Sequence, residues 1–159
     1  AARLAPFGVR LLAHDPAGDP GEAERLGVRL CPLAELLAES DAVTVHVPLT
    51  SETRGLLDRR ALARLRPGAV LVNAGRGGVV DEEALLEALA SGRVGAAALD
   101  VLAAEPPDAD NPLLGLEQVV VTPHMAYYSE DSLRDLRASV ARNAALVLGG
   151  GEPLFEVVP

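Results

Sequence analysis

Residues 69–80 read AVLVNAGRGGVV, a short apolar run followed by a glycine-rich turn around one arginine. The four apolar residues 69–72 predict a strand buried on both faces, as in a parallel sheet. The glycines around Arg76 allow turn conformations and close approach of a ligand to the backbone. Arg76 would lie at the carboxyl end of a strand, where open α/β sheets bind ligands, and its guanidinium suits a carboxylate. A tight turn with a solvated arginine explains the same residues equally well.

The composition predicts one globular domain with an aliphatic core. The chain has 159 residues, of which 49% are hydrophobic and only 3% aromatic. It contains no apolar run near the about 18 residues of a membrane span and no basic-then-apolar leader, so we expect neither span nor signal peptide. The net charge is −9, and every positive side chain is arginine. This charge argues against binding to a nucleic-acid backbone.

Cysteine and histidine are sparse in this sequence. Its single cysteine, Cys31, excludes an intrachain disulfide and fits a reducing compartment, so we expect a cytoplasmic protein. The apolar neighbours of Cys31 predict a buried, inert thiol. The three histidines do not form a cluster with ligand spacing, so we expect no metal site.

Strands and helices alternate along the chain, which predicts a parallel sheet with helices on its faces. Residues 1–6 resemble the end of a helix that Phe7-Gly8 closes. Strands are predicted at residues 9–13, 28–30, 42–47, 69–72, 96–99 and 119–121. Helices are predicted at residues 22–26, 32–39 and 58–65, from the cap Asp81 to Gly92, and from the cap Ser129 to Gly149. The last helix has Leu133, Leu136, Val140, Ala144 and Val147 at helical spacing. The long irregular segment 101–115 is of a length more often functional than idle.

Five of the predicted strands have a polar residue at their carboxyl end, and on one sheet edge these residues could converge. They are Asp15, His46, Arg76, Asp100 and His124, with Glu105 five residues beyond Asp100. A histidine paired with a carboxylate serves as an acid or base near neutral pH, and a nearby arginine holds a carboxylate. An acidic residue that ends the second strand of a dinucleotide fold accepts hydrogen bonds from a ribose.

Each of these residues also has a structural explanation. Asp15 precedes a proline and fits a turn former, Asp100 fits a loop cap, and His124 fits a packed loop histidine. His46 lies between two valines, so we expect a structural role in which its backbone lines a site. His14 is expected to be a partly exposed bystander.

Four motifs carry a resemblance that covers nearly the whole chain. They are His46-Val47-Pro48-Leu49-Thr50 with Thr53, the run LVNAGRGGVVD at residues 71–81, Ala98-Leu99-Asp100-Val101 with Glu105-Pro106, and Thr122-Pro123-His124-Met125-Ala126. Together and in this order, they resemble the D-isomer-specific 2-hydroxyacid dehydrogenase family. Tyr127-Tyr128-Ser129-Glu130 is most similar to the branch that contains the C-terminal-binding proteins and their bacterial dehydrogenase relatives.

The resemblance implies a Rossmann-type doubly wound parallel sheet that lacks its first strand and Gly-rich loop. The sequence has no G-x-G-x-x-G phosphate loop. Residues 1–150 would be a partial NAD-binding domain, and residues 151–159 a tail leading toward an absent substrate domain. Without that loop and domain, we expect the 159-residue chain by itself to show little catalysis.

The resemblance also implies roles for individual residues. Arg76 would bind the substrate carboxylate and carbonyl, and His124, paired with Glu105, would exchange the proton. A glutamate rather than a glutamine at position 105 argues for 2-oxoacid and 2-hydroxyacid chemistry instead of formate oxidation. The cofactor would be NAD, held by Asp15, Val47, Pro48, Thr53, Ala74, Gly75, Arg76, Asp100, His124, Ala126 and Tyr127.

The intact protein would therefore interconvert a 2-oxoacid and a D-2-hydroxyacid by hydride transfer. The family resemblance suggests a homodimer formed mainly through the cofactor domain. The alternative is an NAD(H)-sensing, dimerising scaffold like the C-terminal-binding proteins, although a pure scaffold need not keep Arg76, Glu105 and His124.

Overall fold

Six short strands form two separate parallel sheets in the computed structural model, which describes residues 1–155. The first sheet pairs β1 (Leu11–Ala13) with β2 (Val28–Leu30). The second has the order β3-β4-β5-β6, with the bounds Ala42–Val45, Ala69–Asn73, Val94–Leu99 and Val119–Val121. All neighbouring strands are parallel, so the carboxyl ends within each sheet lie on one edge. The α/β class and the parallel pairing are confirmed.

A groove separates the two sheets. Its amino half, of about 440 Å³, is lined by residues 9–12 and 39–44, and its carboxyl half, of about 470 Å³, by residues 12–15 and 43–48. Strands β1 and β3 thus run in the same direction along its two walls. In the common Rossmann order 3-2-1-4-5-6, the first strand lies between the second and the fourth. Strands β1 and β3 of this chain correspond to that second and fourth strand. Within residues 1–155 no strand fills the place between them, as the sequence predicted.

Five α-helices of the described residues connect or follow the strands. They are α1 (Pro20–Arg25), α2 (Leu33–Glu39), α3 (Arg59–Leu62), α4 (Glu82–Ala90) and α5 (Glu130–Leu148). The predicted caps Asp81 and Ser129 are confirmed, since their side chains accept hydrogen bonds from Ala84 N and Ser132 N. Such caps satisfy backbone donors that have no partner within the helix. Short 3₁₀ turns lie at Ala5–Phe7, Gly77–Val79 and Pro112–Gly115.

Several predicted boundaries differ from the structure. Strand 9–13 contracts to β1, because residues 9 and 10 have no paired neighbour among residues 1–155. Helix 58–65 contracts to α3, and its last residues continue as i→i+3 turns in which Arg64 N donates to Ala61 O and Leu65 N to Leu62 O. The segment 1–6 forms only a 3₁₀ turn, which Gly8 closes in the left-handed conformation with φ 66°.

The core is built from the second sheet and its helices. Every buried apolar residue of the described part lies between Leu37 and Leu113, and Leu71, Leu85 and Leu113 are completely buried. Cys31 is half-buried, so the prediction of a buried thiol is wrong. It directly follows the edge strand β2, which is covered less completely than the strands of the larger sheet.

The chain divides into two compact units, and the second begins at His124. Within residues 124–155 no side chain is fully buried. Of the predicted stripe on α5, Leu133 is half-buried, and the other four residues are exposed. Leu154 N donates to Asn143 Oδ1 at 2.8 Å, which ties the start of the predicted tail to the helix. The last four residues of that tail lie outside the described part. No helix within residues 1–155 is long and apolar enough to cross a membrane.

Candidate functional site

The turn that carries Arg76 is braced by the last residue of β4. The side chain of Asn73 is buried, its Nδ2 donates to Arg76 O at 3.1 Å, and its Oδ1 accepts from Gly75 N at 3.1 Å. One amide group therefore holds both sides of the turn. We call residues 73–80 the arginine turn. Because the amide is removed from water, these hydrogen bonds fix the backbone on either side of the arginine.

The guanidinium of Arg76 is exposed at the end of the larger sheet. Its Nη1 donates to the carbonyl of Gly75 at 2.8 Å, and within residues 1–155 it forms no ion pair. A guanidinium carries five N–H donors in a planar fork. Most of its donor capacity is thus available for a planar anion such as a carboxylate.

Two glycines let neighbouring backbone segments contact the arginine turn. A Cβ atom on Gly75 would lie 2.9 Å from Val47 O, and one on Gly77 would lie 2.0 Å from both C and O of Leu102. Real Cβ atoms do not approach backbone atoms this closely. The turn therefore packs directly between the segment after β3 and the loop after β5.

The segment after β3 contains the predicted cofactor wall, residues 47–53. Thr53 Oγ1 donates to Pro48 O at 2.5 Å and accepts from Thr50 N at 2.8 Å, so the segment closes on itself. Val47 and Thr53 are half-buried, whereas Pro48 is exposed. Next to Val47, Ala74 N donates to Val45 O at 3.1 Å. The structure thus places Val47 and the predicted cofactor residues Ala74 and Gly75 side by side.

Asp100 links the ends of three strands. It follows β5, is 9% exposed, and its N–H donates to the carbonyl of Asn73 at 2.9 Å. The hydroxyl of Thr122, directly after β6, donates to Asp100 Oδ1. The carboxylate is therefore built into the sheet edge beside the arginine turn, and it joins the strands structurally as well as lining the edge.

The loop after β5, residues 101–111, presents Glu105. Its Oε1 accepts from Leu102 N at 3.1 Å. Since Leu102 also contacts Gly77, the glutamate belongs to the same local assembly as the arginine turn. Two of the three predicted catalytic residues, Arg76 and Glu105, are thus carried by segments in direct backbone contact.

Asp15 lies on the other sheet, two residues beyond β1. Its side chain is exposed, and Oδ1 accepts from Ala17 N at 2.9 Å. It lines the carboxyl half of the groove together with Val47 and Pro48. That cavity, about 470 Å³, lies within the range of roughly 300–1,000 Å³ found for ligand pockets. A carboxylate beside a mostly apolar wall fits the ribose and base of a nucleoside.

The two histidines of the first unit, His14 and His46, line the carboxyl half of the groove. His46 is exposed, and its Nε2 lies 3.1 Å from Thr44 Oγ1. His14 is half-buried, as expected for a partly exposed bystander, and its Nδ1 lies 3.2 Å from the Cys31 carbonyl.

The second unit carries the remaining predicted residues. His124 has φ 50°, and among residues 1–155 no other residue except glycine has a positive φ. Residues other than glycine adopt this left-handed backbone conformation at a cost in free energy, and such conformations cluster at functional sites. Ala126 and Tyr127 are exposed, and the Tyr127 and Tyr128 rings meet edge to face with centroids 6.4 Å apart.

Residues 1–126 match the family model described as D-isomer specific 2-hydroxyacid dehydrogenase, NAD binding domain. The chain belongs to this family. The match covers most of the chain and includes the arginine turn, the Glu105 loop and His124. The family expectation from the sequence is confirmed, and the matched part is the domain that binds the nicotinamide cofactor.

Individual relatives agree with this assignment. The chain is 47% identical over 150 residues to a D-3-phosphoglycerate dehydrogenase of Mycobacterium leprae, covering 94% of this chain and 28% of that protein. A D-lactate dehydrogenase of Lactobacillus jensenii, solved with NAD+, superimposes with a TM-score of 0.88 at 30% identity, covering 100% of this chain and 51% of that one. A D-isomer specific 2-hydroxyacid dehydrogenase of Xanthobacter autotrophicus, solved with NADPH and MES, superimposes with a TM-score of 0.84 at 36% identity. The match covers 98% of this chain and 64% of that one.

Two structural residues of this dehydrogenase domain have no role in the sequence prediction. Asn73 and Thr122 both belong to the quoted motifs, but only the structure reveals that they brace Arg76 and Asp100. One signal for Asn73 is available, because an asparagine just before a glycine turn often bonds the backbone two residues on. Thr122 bonds a residue 22 positions away, for which no local pattern exists.

Proposed function

We propose that the protein containing this chain reduces a small 2-oxoacid to a D-2-hydroxyacid, or catalyses the reverse, with NAD(H). NADH, when bound, supplies the hydride that reaches the carbonyl carbon. Arg76 holds the substrate carboxylate and polarises the neighbouring carbonyl oxygen. His124 gives that oxygen a proton, and Glu105 orients the imidazole and stabilises its protonated form. One hydride and one proton convert the carbonyl into a hydroxyl.

The observation that supports this function best is the arginine turn. Its arginine is exposed and without an ion pair in the described residues, yet its backbone is held by a buried amide. An arginine on a surface turn that binds nothing does not need its backbone fixed in this way. A substrate-binding group does, because a misplacement of about 1 Å can lower the rate by about 100-fold.

Activity of the full-length protein with a panel of 2-oxoacids tests the proposal, with NADH oxidation as the readout. We expect turnover with at least one of them. His124→Ala should remove most turnover with only modest loss of NADH affinity, and Arg76→Ala should raise KM for the oxoacid. Arg60→Ala, another exposed arginine, is the matched control and should change neither. Near-normal turnover of His124→Ala would contradict the assignment.

The panel also identifies the substrate. The Mycobacterium leprae relative is named for 3-phosphoglycerate and the Lactobacillus jensenii relative for lactate, so this family accepts acids of different size and charge. This chain covers about half or less of those two proteins. We assign residues 1–150 to part of the NAD-binding domain, and we expect little turnover from the 159-residue chain alone.

For the cofactor we propose a preference for NAD over NADP. A carboxylate at position 15 accepts hydrogen bonds from the ribose diol and repels a 2′-phosphate. No arginine follows at once, since the next residues are Pro16-Ala17-Gly18-Asp19. The dissociation constant for NADH should be lower than that for NADPH, and Asp15→Ala should narrow the difference. Tighter binding of NADPH by the unaltered protein would overturn this preference.

The second candidate function is an NAD(H)-sensing scaffold. It is supported by the exposed aromatic pair Tyr127 and Tyr128 ahead of α5, because aromatic residues are enriched in protein interfaces. The oxoacid panel separates the two functions. Tight NADH binding without turnover on any member favours the scaffold.

Under either function we propose a homodimer in the cytoplasm. The exposed apolar side chains of α5 include Leu136 at 54%, Val140 at 61% and Val147 at 54% exposure. Large apolar patches on soluble proteins mark interaction sites. Light scattering at micromolar concentration should give at least a dimer mass. A monomeric mass together with a cooperative thermal transition would contradict the dimer.

The proposal of a cytoplasmic compartment is supported by the single cysteine, which suits reducing conditions.

A further inference from the structure

Glu82, in the first turn of α4, contacts the Glu105 loop at two points. Its Oε1 accepts from Ala103 N at 2.5 Å, and its Oε2 accepts from Asn111 Nδ2 at 3.3 Å. Residues 103 and 111 stand at opposite ends of the loop. A single carboxylate therefore holds both ends, and hydrogen bonds to an ionised acceptor are stronger than neutral ones.

The loop is anchored on each side of these contacts. Ala103 follows Leu102, whose N–H donates to Glu105 and whose carbonyl group packs on Gly77. At the other end, the Oδ1 atom of Asn111 accepts from Leu113 N at 3.0 Å, and Leu113 is completely buried. The contacts of Glu82 thus lie between fixed points and act on the piece of chain that carries Glu105.

The three acidic residues that begin α4 have different contacts. Asp81 caps the helix, since its side chain accepts from Ala84 N. Glu83 is exposed, and its carboxylate favours the helix only through its place in the first turn. Glu82 is half-buried and reaches across to a loop 21 residues further along the chain. Helix stability alone therefore explains Asp81 and Glu83 but not the loop contacts of Glu82.

We propose that Glu82 is a positioning residue for the dehydrogenase reaction: it fixes the loop that presents Glu105 relative to the turn that presents Arg76. This inference rests on the proposed function. The geometry connects the loop and the turn, because α4 begins directly after the arginine turn. The first turn of α4 therefore holds the Glu105 loop next to the turn that carries Arg76. Glu82 itself touches neither substrate nor cofactor in this role.

The test compares Glu82→Ala, Glu82→Gln and the matched control Glu83→Ala in the full-length protein. A glutamine side chain keeps an oxygen that accepts from Ala103 N, but it loses the charge. We expect Glu82→Ala to lower kcat about tenfold while the NADH dissociation constant changes less than about twofold, because the fault lies in alignment and not in binding. Glu82→Gln should fall between Glu82→Ala and the wild type, and Glu83→Ala should match the wild type.

Hydrogen–deuterium exchange of the loop provides a readout that does not depend on turnover. The amides of residues 102–111 should exchange faster in Glu82→Ala than in Glu83→Ala, with β4 unchanged. Equal kcat in the two alanine variants, equal loop exchange, or a parallel loss of NADH binding would overturn the positioning role. A wild-type protein that turns over no oxoacid, while Glu82→Ala still frees the loop, would instead contradict the proposed function and the catalytic consequence drawn from it.

Discussion

The two sheets of the first unit are made from similar sequences but differ in burial. The strands of both are short, parallel and largely aliphatic, and both are connected through short helices. Yet residues 1–36 contain no fully buried side chain, whereas residues 37–113 contain the entire described core. The difference lies in the neighbours. Strands β4 and β5 are paired on both sides, but β1 is paired only with β2 in the described residues and faces the groove.

Burial in a parallel sheet therefore depends on lateral neighbours as much as on apolar sequence. An aliphatic strand contributes little to the core until strands or helices cover both its edges and its faces. The four-stranded sheet carries the arginine turn and Asp100. The two-stranded sheet carries Asp15, the residue assigned to the cofactor ribose. The following predictions test this contrast, in order of expected size.

Core truncation should give the largest difference. Leu85→Ala, at a fully buried position of α4, should lower the free energy of unfolding by about 2–5 kcal/mol because it removes packed methyl groups and leaves a cavity. Leu12→Ala, in half-buried β1, should cost less than about 2 kcal/mol because the groove already leaves that side chain partly uncovered. Urea unfolding measures both. Equal losses would show that the two sheets are equally packed.

A methyl group added to glycine should separate the two regions by a different mechanism. Gly77→Ala would place Cβ 2.0 Å from Leu102 backbone atoms, and we expect a loss of about 1–3 kcal/mol or more from overpacking. Gly27→Ala, between α1 and β2, meets no atom within 4 Å and should cost only the about 1–2 kcal/mol of a left-handed backbone with φ 67°.

Loop structure distinguishes these two glycine variants. Faster amide exchange in residues 101–111 is expected for Gly77→Ala alone, since only that substitution pushes on the loop. The same exchange in both variants would contradict the close contact between the arginine turn and Leu102.

Two polar side chains at or just beyond the carboxyl end of a strand allow a matched comparison. Asn73 accepts from Gly75 N and Asp15 accepts from Ala17 N, each two residues on, but only Asn73 is buried. Asn73→Ala should cost about 1–3 kcal/mol of unfolding free energy, because it leaves buried backbone groups without partners. Asp15→Ala should cost less than about 1 kcal/mol, because water replaces its bond. Thermal unfolding checks both values, and a larger loss for Asp15→Ala would reverse the comparison.

The smallest effect is expected at the surface of the two-stranded region. A side-chain hydrogen bond from Arg25 lowers the pKa of Glu22, although burial acts weakly in the opposite direction. A lowered pKa means that the pair stabilises the fold above the carboxyl group's unfolded pKa, and that this contribution disappears as pH falls through the folded value. Because both groups are exposed to water, the effect on stability at neutral pH should be hard to detect.

A titration of the Glu22 carboxyl group followed by NMR measures this effect directly. Arg25→Ala should return the Glu22 pKa towards its ordinary value, while Arg3→Ala, which removes another exposed arginine, should leave it unchanged. An unaltered Glu22 pKa in Arg25→Ala would mean that the pair does not form in solution.

Apolar patterns and helix-capping residues in the sequence predicted most elements of the fold. Runs such as AVLVN gave the strands, and the acidic and serine residues before helices gave the caps Asp81 and Ser129, because these signals act within a few residues. The prediction was wrong about a buried Cys31, because the burial of this residue depends on which strands lie next to β2. Local sequence carries no information about a lateral neighbour.

The candidate site divides in the same way. The sequence by itself determined which residues are available, namely Arg76 after an apolar strand, Glu105 in a long loop and an acidic residue after β1, because residue type and local order are properties of the chain. Only the tertiary structure decided that Thr122 braces Asp100, that Gly77 lets the Glu105 loop pack on the turn, and that Glu82 holds that loop. The loop contacts join residues 21 to 29 positions apart, and only folding brings such distant groups within hydrogen-bond reach.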